Sequence, residues 1–363
     1  MKEPIRVLQI VTSLSRGSGV LAVVFNWHRH IDTSRIEFDY LYFRVVTENR
    51  QREIEALGGR CYQLPNPMRA PLKFLRESSR FFKTHRYKTI HSHVNHLNLF
   101  FLPLAKCFGV KNIIHHAHAV KWGNNSVTSL RNYLMARSVG FLVTHRLACS
   151  QAAGNSYYGK NFKVVNNGIE VEKFTYNPQV RARKRKELKI ENNFVVGHVG
   201  RLSAEKNHTF LLDVFAELLQ KDATAKLVLA GSGPLEGKIK EEIKTKGLDG
   251  KVFLLGVQPN VNELYQAFDC FVFPSLHEGL GIVAIEAQAA GLPCVVADTL
   301  PREVVVCNCK KLPLGSADKW AAEILTFAKD FERKDTSARI KEAGFCAAEV
   351  AKRMQNFYTE LEK

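Results

Sequence analysis

Long apolar runs and paired cysteines are both missing from this sequence. No stretch approaches the roughly 20 consecutive apolar residues that cross a bilayer. The apolar start at residues 5–14 follows a glutamate and a proline instead of a basic leader, which argues against a signal peptide. The eight cysteines lie singly, apart from Cys307 and Cys309, without the C-x-x-C spacing of zinc or redox sites. We therefore expect a cytoplasmic protein with no transmembrane helix and with reduced, mostly buried thiols.

Acidic residues are missing from a long part of the chain, since none occurs between residues 78 and 169. Residues 1–180 carry 25 Lys and Arg against 10 Asp and Glu, whereas the remainder carries 27 against 25. A positive field confined to one half suits an anionic surface, either nucleic acid or a phospholipid leaflet. A basic face that meets only solvent would give the same composition.

Strand and helix patterns alternate along both halves, which predicts the fold class. At 363 residues the chain exceeds what one hydrophobic core usually sustains. Short apolar runs alternate with stretches of helical periodicity, as in parallel α/β sheets. The polar stretch 176–189, with Pro178 and a basic run, indicates a boundary. We predict an α/β protein of two doubly wound, Rossmann-like domains facing across a cleft, residues 1–178 and 179–345.

A strand, a glycine turn and a helix open the first half. The turn Arg16-Gly-Ser-Gly19 follows a strand at residues 5–13 and precedes a helix at residues 20–31. Gly17 and Gly19 would let the backbone approach a bound group closely, beside helix N–H groups that suit an anion or a sugar hydroxyl. An ordinary strand-to-helix turn explains these residues equally well.

A basic amphipathic helix is predicted at residues 72–85, with Leu72, Leu75 and Phe82 near one face. Such a helix lies in a membrane interface or docks on its own sheet. The positive charge of this half favours the membrane.

Histidines cluster at two predicted strand ends, namely at His91, His93 and His96 and again at His115, His116 and His118. No carboxylate accompanies them and their spacings match no standard site, so we expect no metal. A side chain at the carboxyl end of a parallel strand points into the ligand crevice of an open sheet. His118 is therefore a candidate for polar contact with a substrate.

Two cations stand near the start of a helix in the second half. Arg201 and Lys206 lie in the loop GRLSAEKN, where a helix dipole would normally repel them. Two cations and a helix N-terminus together suit an anion such as a diphosphate. The alternative is a pair of solvated side chains with Glu205 as their partner.

Residues 271–298 read as a strand, a glycine-rich loop, a short helix and a second strand. The loop carries Glu278 and the helix carries Glu286. Glu286 can accept two hydrogen bonds from the vicinal diol of a ribose, which leaves Glu278 for whatever lies beyond the phosphates. The sequence contains no Asp-x-Asp, so a metal-held nucleoside diphosphate is disfavoured.

The motifs of the second half resemble those of the retaining glycosyltransferases of family 4, which have the two-domain GT-B fold. The resemblance rests on GRLSAEKNH, LAGSGP, LLG and FVFPSLHEGLGIVAIEAQAAGLPCVVAD with its E-x(7)-E spacing. Weaker marks are the glycine turn, IIHHAHAV, ACS and NNGIEVEKF. The resemblance spans about residues 5–300 and includes bacterial surface-polysaccharide enzymes. It also implies that the last helix, residues 346–363, returns to the first domain.

The resemblance implies a role for each matching residue. Arg201 and Lys206 would bind the donor diphosphate, Glu286 the ribose and Glu278 the transferred sugar. The remaining contacts would come from the amides of Gly279, Leu280 and Gly281, from Gly17 near the diphosphate or the acceptor, and from His118 at the donor sugar. No metal or other cofactor is implied.

The function expected from residues and resemblance together is transfer of a sugar from a nucleotide-diphosphate donor, with UDP favoured. We expect the acceptor to be a lipid-linked saccharide of a capsule or exopolysaccharide, and the protein to sit peripherally on the inner face of the plasma membrane. An epimerase or a phosphorylase of the same fold is the alternative. A nucleic-acid-binding protein is less expected because basic and aromatic residues do not interleave.

Overall fold

The computed structural model describes residues 3–123, 125–329 and 331–362. These residues divide into two compact units, which we call unit 1 (Met1–Ile169 with Cys346–Lys363) and unit 2 (Glu170–Phe345). Each unit is built on its own parallel sheet with helices between the strands, which confirms the predicted α/β class of two doubly wound domains. The division falls before Glu170, whereas the sequence places the boundary after residue 178.

Unit 1 contains a seven-stranded parallel sheet. Its strands are β1 (Ile5–Ile10), β2 (Ile36–Tyr42), β3 (Cys61–Gln63), β4 (Thr89–Ser92), β5 (Asn112–Ala117), β6 (His145–Ala148) and β7 (Lys163–Val164). The helices between them are α1 (Gly19–His30), α2 (Gln51–Ala56), α3 (Pro71–Thr84), α4 (Asn98–Cys107), α5 (Ser126–Arg137) and α6 (Gln151–Tyr158). The strand order is β3-β2-β1-β4-β5-β6-β7, so the order reverses beside β1, where sheets of this type bind ligands.

Helix α3 docks on unit 1 through a different face from the one predicted. Phe74, Phe81 and Phe82 lie in the hydrophobic core, whereas Leu72 is 83% exposed and Leu75 is 50% exposed. Burying three aromatic rings removes more apolar surface from water than burying two leucines would. Of the three residues predicted to lie near one face, only Phe82 is buried, so Leu72 and Leu75 stay on the exposed side of the helix.

Unit 2 contains a six-stranded parallel sheet in the order β10-β9-β8-β11-β12-β13. Its strands are β8 (Val195–Val199), β9 (Lys226–Ala230), β10 (Val252–Leu254), β11 (Cys270–Phe273), β12 (Cys294–Ala297) and β13 (Cys309–Leu312). Its helices are α7 (Val171–Phe174), α8 (Pro178–Leu188), α9 (His208–Lys221), α10 (Glu236–Thr245), α11 (Val261–Ala267), α12 (Ile282–Ala289), α13 (Ala317–Ala328) and α14 (Ser337–Glu342). The order places β8 beside β11, so loops far apart in sequence meet at one edge.

Helix α8 occupies the polar stretch that was predicted to be a boundary. Asn177 caps it, its side chain accepting hydrogen bonds from two backbone N–H groups of the first turn. Arg181 and Arg185 reach the carboxylate of Asp269 at 2.5 and 2.9 Å. Asp269 also accepts the N–H of Val195 at 2.7 Å. The basic run therefore ties α8 to the beginnings of β8 and β11.

Helix α15 (Ala347–Leu361) follows unit 2 in the sequence but belongs to unit 1. The Ala347 N–H donates to the carbonyl of Ile169 at 2.9 Å, and the helix packs on α1 and β2. Its Tyr358 is fully buried, lies 2.6 Å from Nδ1 of His91 and accepts a hydrogen bond from the Gln9 amide. Unit 1 therefore needs α15 to complete its core.

The described part of the chain contains no helix with the length and apolar character that crossing a bilayer requires. All eight cysteines are free thiols, and five of them are buried, as the sequence predicts.

Five histidines of unit 1 are buried, namely His28, His91, His93, His115 and His116. Burial lowers the pKa of His28 and His115 to about 4, and it lowers the pKa of the other three well below the ordinary value. All five are therefore neutral near pH 7, and folded unit 1 cannot bind the protons that its unfolded chain would bind.

We expect unit 1 to lose stability as the pH falls below about 6.5, the ordinary histidine pKa. Between that pH and the lowered folded-state pKa, each such histidine reduces the free energy of unfolding by about 1.4 kcal/mol per pH unit. Urea unfolding at pH 7.5, 6.0 and 5.0 measures this, with Trp320→Phe used so that fluorescence reports unit 1. His116→Phe should flatten the pH dependence, whereas His30→Phe, at an exposed site, should not. A midpoint that does not change with pH would contradict the prediction.

Candidate functional site

Two glycine loops of unit 2 lock together at the carboxyl ends of β8 and β9. Leu202 N–H donates to the Ser232 carbonyl at 3.0 Å, and Gly200 N–H donates to Ala230 at 2.9 Å. Gly231 has φ of +139°, and a Cβ there would lie 1.9 Å from the carbonyl oxygen of Gly200. Only glycine permits this approach, so the loop that carries Arg201 and Lys206 has a fixed course.

Lys206 ends a 3₁₀ turn, Ala204–Lys206, that follows β8. Its Nζ lies 2.5 Å from Oε1 of Glu278 and 4.8 Å from the centre of the Phe273 ring. The two charged side chains are only 14% and 15% exposed. The structure thus brings together two predicted site residues from the ends of neighbouring strands, in a shielded ion pair.

Arg201 is solvent-exposed at the start of the same loop, so the loop offers a second cation at its surface. Glu205 accepts a hydrogen bond from the Ser203 hydroxyl at 2.6 Å. Burial would raise the pKa of Glu205, but this hydrogen bond and the charges of Lys206 and Arg201 lower it overall. The ion-pair partner of Lys206 is nevertheless Glu278, not the Glu205 of the alternative interpretation.

Gly281 turns the chain from the glutamate loop into α12. It is the N-cap residue, with φ of +91°, and a Cβ there would meet Leu300 and Phe273 at 3.3 Å. Both the left-handed backbone and the close neighbours therefore favour glycine. The turn places Glu278 before the helix and Glu286 in its second turn.

Glu286 accepts a hydrogen bond from Tyr265, a residue that the sequence analysis did not identify. The Tyr265 hydroxyl donates to Oε2 of Glu286 at 2.9 Å and lies 3.1 Å from the Val283 carbonyl. Burial raises the pKa of Glu286 to about 7, and the Tyr265 hydrogen bond opposes that rise. The only signal for this contact would be that Tyr265 is fully buried, and burial of that residue cannot be predicted from the sequence.

Gly17 lies in the exposed turn between β1 and α1. The turn is shaped by Ser18, which caps α1 by accepting the Leu21 N–H at 3.3 Å. A Cβ on Gly17 would meet only the Ser15 hydroxyl, at 3.8 Å, and a Cβ on Gly19 would meet nothing within 4 Å. Packing within unit 1 therefore does not require glycine at either position.

His118 follows β5 and joins a stack of imidazoles. Its Nε2 lies 2.9 Å from Nδ1 of His93, and its ring stacks on that of His116 at 4.2 Å between centroids. Burial first, and then the charge of His115, lower the pKa of His118 to about 3. His118 is therefore neutral near pH 7 and can act in hydrogen bonding but not as a cation.

Ring nitrogens of His91, His93 and His116 lie within 4.8 Å of one another, and no other cluster of potential metal ligands occurs among the described residues. The rings are close to parallel, with interplanar angles of 25°, 9° and 32°. An imidazole binds a metal through the lone pair in its own plane, so parallel rings do not converge on one ion. His93 also has both nitrogens in hydrogen-bonding contacts, with Gln9 and His118.

The arrangement in unit 2 combines cations, a glycine-capped helix start and two carboxylates in different surroundings. Lys206 and Arg201 can neutralise an anionic group, and the N–H groups at the start of α12 can bind oxygen atoms. Glu286 can accept hydrogen bonds from hydroxyls. Such a set suits a ligand that carries both phosphates and sugar hydroxyls.

Comparison with known proteins agrees with this chemistry. Residues 180–345 match the family described as glycosyl transferases group 1. EpsF of Bacillus subtilis, named as a glycosyltransferase, is 34% identical over 310 residues, which cover 82% of this chain and 80% of EpsF. An α-1,3-galactosyltransferase of Escherichia coli, which acts from UDP-Gal on GlcNAc-diphosphoundecaprenol, is 26% identical over 65% of this chain and 64% of its own.

Solved structures show the same fold. HepE of Anabaena, in complex with UDP and glucose, superposes with a TM-score of 0.81 at 20% identity, covering 98% of this chain and 99% of HepE. Given the extent and identity of the match to EpsF, together with the family match across unit 2, the chain belongs to the group 1 glycosyltransferases.

Proposed function

We propose that this glycosyltransferase moves a hexose from a nucleotide-diphosphate donor, with UDP as the favoured nucleotide, to an acceptor hydroxyl with retention at the anomeric carbon. The observation that carries the proposal is the shielded Lys206–Glu278 pair beside the glycine-capped start of α12. UDP in HepE and UDP-Gal as donor of the E. coli relative support the choice of nucleotide.

The proposed roles follow from what each group can donate or accept. Arg201 and Lys206 bind the diphosphate and stabilise the charge that develops as it leaves. Glu286 accepts the ribose hydroxyls, and Glu278 contacts the transferred sugar. The amides of residues 279–281 bind sugar and phosphate oxygens. Gly17 approaches the diphosphate or the acceptor, and the neutral His118 contacts the donor sugar.

We further propose that the reaction needs no divalent metal. Arg201, Lys206 and the N–H groups at the start of α12 can together neutralise a departing diphosphate, and the sequence contains no Asp-x-Asp. In the retaining route proposed here, the acceptor hydroxyl attacks the face from which the diphosphate departs. The departing diphosphate takes the bonding electron pair and is placed to receive the hydroxyl proton.

Thermal unfolding in the presence of a panel of nucleotide sugars should identify the donor, because a bound ligand raises the apparent stability by mass action. UDP-sugars should stabilise the chain more than their GDP counterparts.

NMR of the product should show the anomeric configuration of the donor, with turnover unchanged in EDTA. Inversion would contradict the retaining mechanism, and conversion of the donor without an acceptor would indicate an epimerase.

Lys206→Ala should reduce kcat by on the order of 10²–10³-fold, the usual effect of removing one group that stabilises developing charge. Thermal unfolding should show that the variant still folds. Lys238→Ala, at an exposed lysine of the same unit, is the matched control and should keep wild-type turnover. Equal turnover for Lys206→Ala and wild type in a sugar-transfer assay would remove Lys206 from the mechanism.

We propose a lipid-linked saccharide as the acceptor, on a pathway to surface polysaccharide, which would place the protein at the inner face of the plasma membrane. The lipid-linked acceptor of the E. coli relative supports this, as does the capsule-synthesis protein CapM of Staphylococcus aureus, 29% identical over 46% of each chain. The positive charge of the first 180 residues suits anionic lipid.

Helix α5 offers the apolar half of a membrane contact. Val127, Leu130 and Leu134 share one face by their spacing and are 79%, 60% and 57% exposed. Phe141, in the next turn, is 80% exposed. Arg131, on the same helix, is also exposed. Apolar side chains beside a cation, in a region without acidic residues, favour an anionic bilayer surface as the occupant.

We expect the wild-type chain to co-sediment with phosphatidylglycerol vesicles at low salt and to be released as salt rises. The double variant Leu130→Ser, Leu134→Ser should bind at least on the order of tenfold more weakly, because each leucine contributes about 1.5–3 kcal/mol when buried. Val257→Ser, at an exposed valine of unit 2, should bind as wild type does. Loss of binding only in Leu72→Ser, Leu75→Ser would assign the contact to α3 instead.

A further inference from the structure

We propose that Tyr265 is a positioning residue for donor binding, which fixes one oxygen of Glu286 so that the carboxylate faces the ribose diol in a single orientation. This inference rests on the proposed role of Glu286 and extends it to a side chain beneath α12. Tyr265 itself touches no substrate in this assignment.

The Tyr265 ring is held tightly enough to act as a fixed donor. It is fully buried and packs edge-on against Phe268 and Phe271, with centroids 6.0 and 5.7 Å away. Phe174 lies against it at 5.8 Å. Because aromatic neighbours pack around the ring, its hydroxyl oxygen is held in one place beside α12.

The hydroxyl has one proton and two acceptors within reach. Oε2 of Glu286 lies at 2.9 Å and the Val283 carbonyl at 3.1 Å. An ionised carboxylate is the stronger acceptor, so the proton goes to Glu286. Each carboxylate oxygen has two lone-pair sites, so Oε2 can accept from Tyr265 and still accept one ribose hydroxyl while Oε1 accepts the other.

The same hydrogen bond favours the ionised form of Glu286. Burial raises the pKa of Glu286 to about 7, and the Tyr265 hydrogen bond, which favours the charged form, opposes the rise. Charged side chains on the elements packed against α12 are not among the causes of this shift. They are Glu172 and Lys173 of α7, Arg339, Lys341 and Glu342 of α14, and Arg302 and Glu303 of the 3₁₀ turn Arg302–Val304.

Removing the hydroxyl should therefore weaken donor binding in a pH-dependent way. Without Tyr265 the pKa of Glu286 moves further up, so more of the carboxyl is protonated at pH 7 and less of it accepts the diol. We expect Tyr265→Phe to raise the donor KM at pH 7 by on the order of tenfold, the effect of one hydrogen bond to a charged group, with little change in kcat. At pH 9 the difference from wild type should shrink.

Two measurements separate positioning from a merely structural role. Steady-state kinetics from pH 6 to 9 give the ratio of the Tyr265→Phe and wild-type donor KM values, which should fall as pH rises. NMR of ¹³C-carboxyl-labelled glutamate follows the titration of Glu286 without catalysis and should show a higher pKa in the variant. A KM ratio that is constant over the whole range, or an unchanged titration of Glu286, would overturn the inference.

The controls distinguish failure of this inference from failure of the proposed function. Tyr87→Phe removes another buried tyrosine–carboxylate hydrogen bond, 2.7 Å long to Asp39 in unit 1, and should leave the donor KM and its pH dependence unchanged. If Glu286→Gln keeps the wild-type KM, the proposed ribose role of Glu286 is wrong. If Glu286→Gln raises KM but Tyr265→Phe does not, only the role of Tyr265 is wrong.

Discussion

The contact between Lys206 and Glu278 is the interaction on which the candidate site of unit 2 depends. Both side chains are mostly shielded from water, and shielding either charge alone would carry a desolvation penalty. The attraction between the two charges offsets that penalty. Their meeting requires β8 beside β11, the fixed glycine loops after β8 and β9, and Phe273 under the ammonium group. A diphosphate would give Lys206 a second anionic partner. The charges of the site are already shielded from water before the ligand binds, so binding changes the ion-pair partners of Lys206 and does not have to desolvate an isolated charge.

The sequence reveals the elements better than it reveals their neighbours. Alternating patterns predicted two doubly wound domains, and the glycine punctuation placed Glu278 in a loop and Glu286 on a helix, as the structure has them. The strand order, which brings residues 206 and 278 together, is a property of the whole sheet and has no local signature. Tyr265 was missed for the same reason, because its partner is chosen by how α11 packs under α12.

Amphipathic spacing was a poor guide where several apolar side chains competed for one core. On α3, three phenylalanines outweigh two leucines, so the helix turns its leucines to solvent. The basic run of α8 was predicted to mark a domain boundary, yet Arg181 and Arg185 neutralise a single aspartate and donate hydrogen bonds to backbone carbonyls. In both cases the decisive partner lies far away in sequence, where a window of a few residues cannot find it.

The return of α15 to unit 1 has a consequence for synthesis on the ribosome. Unit 1 comes first in the chain, and N-terminal domains generally fold as soon as they emerge. Here the contacts of Gln9 and His91 with Tyr358 cannot form until Tyr358 is translated, after all of unit 2. The inserted unit can thus complete its own sheet while the first one still lacks a wall of its core. Unit 1, although it is made first, therefore exposes apolar surface to chaperones and proteases for longer than unit 2 does.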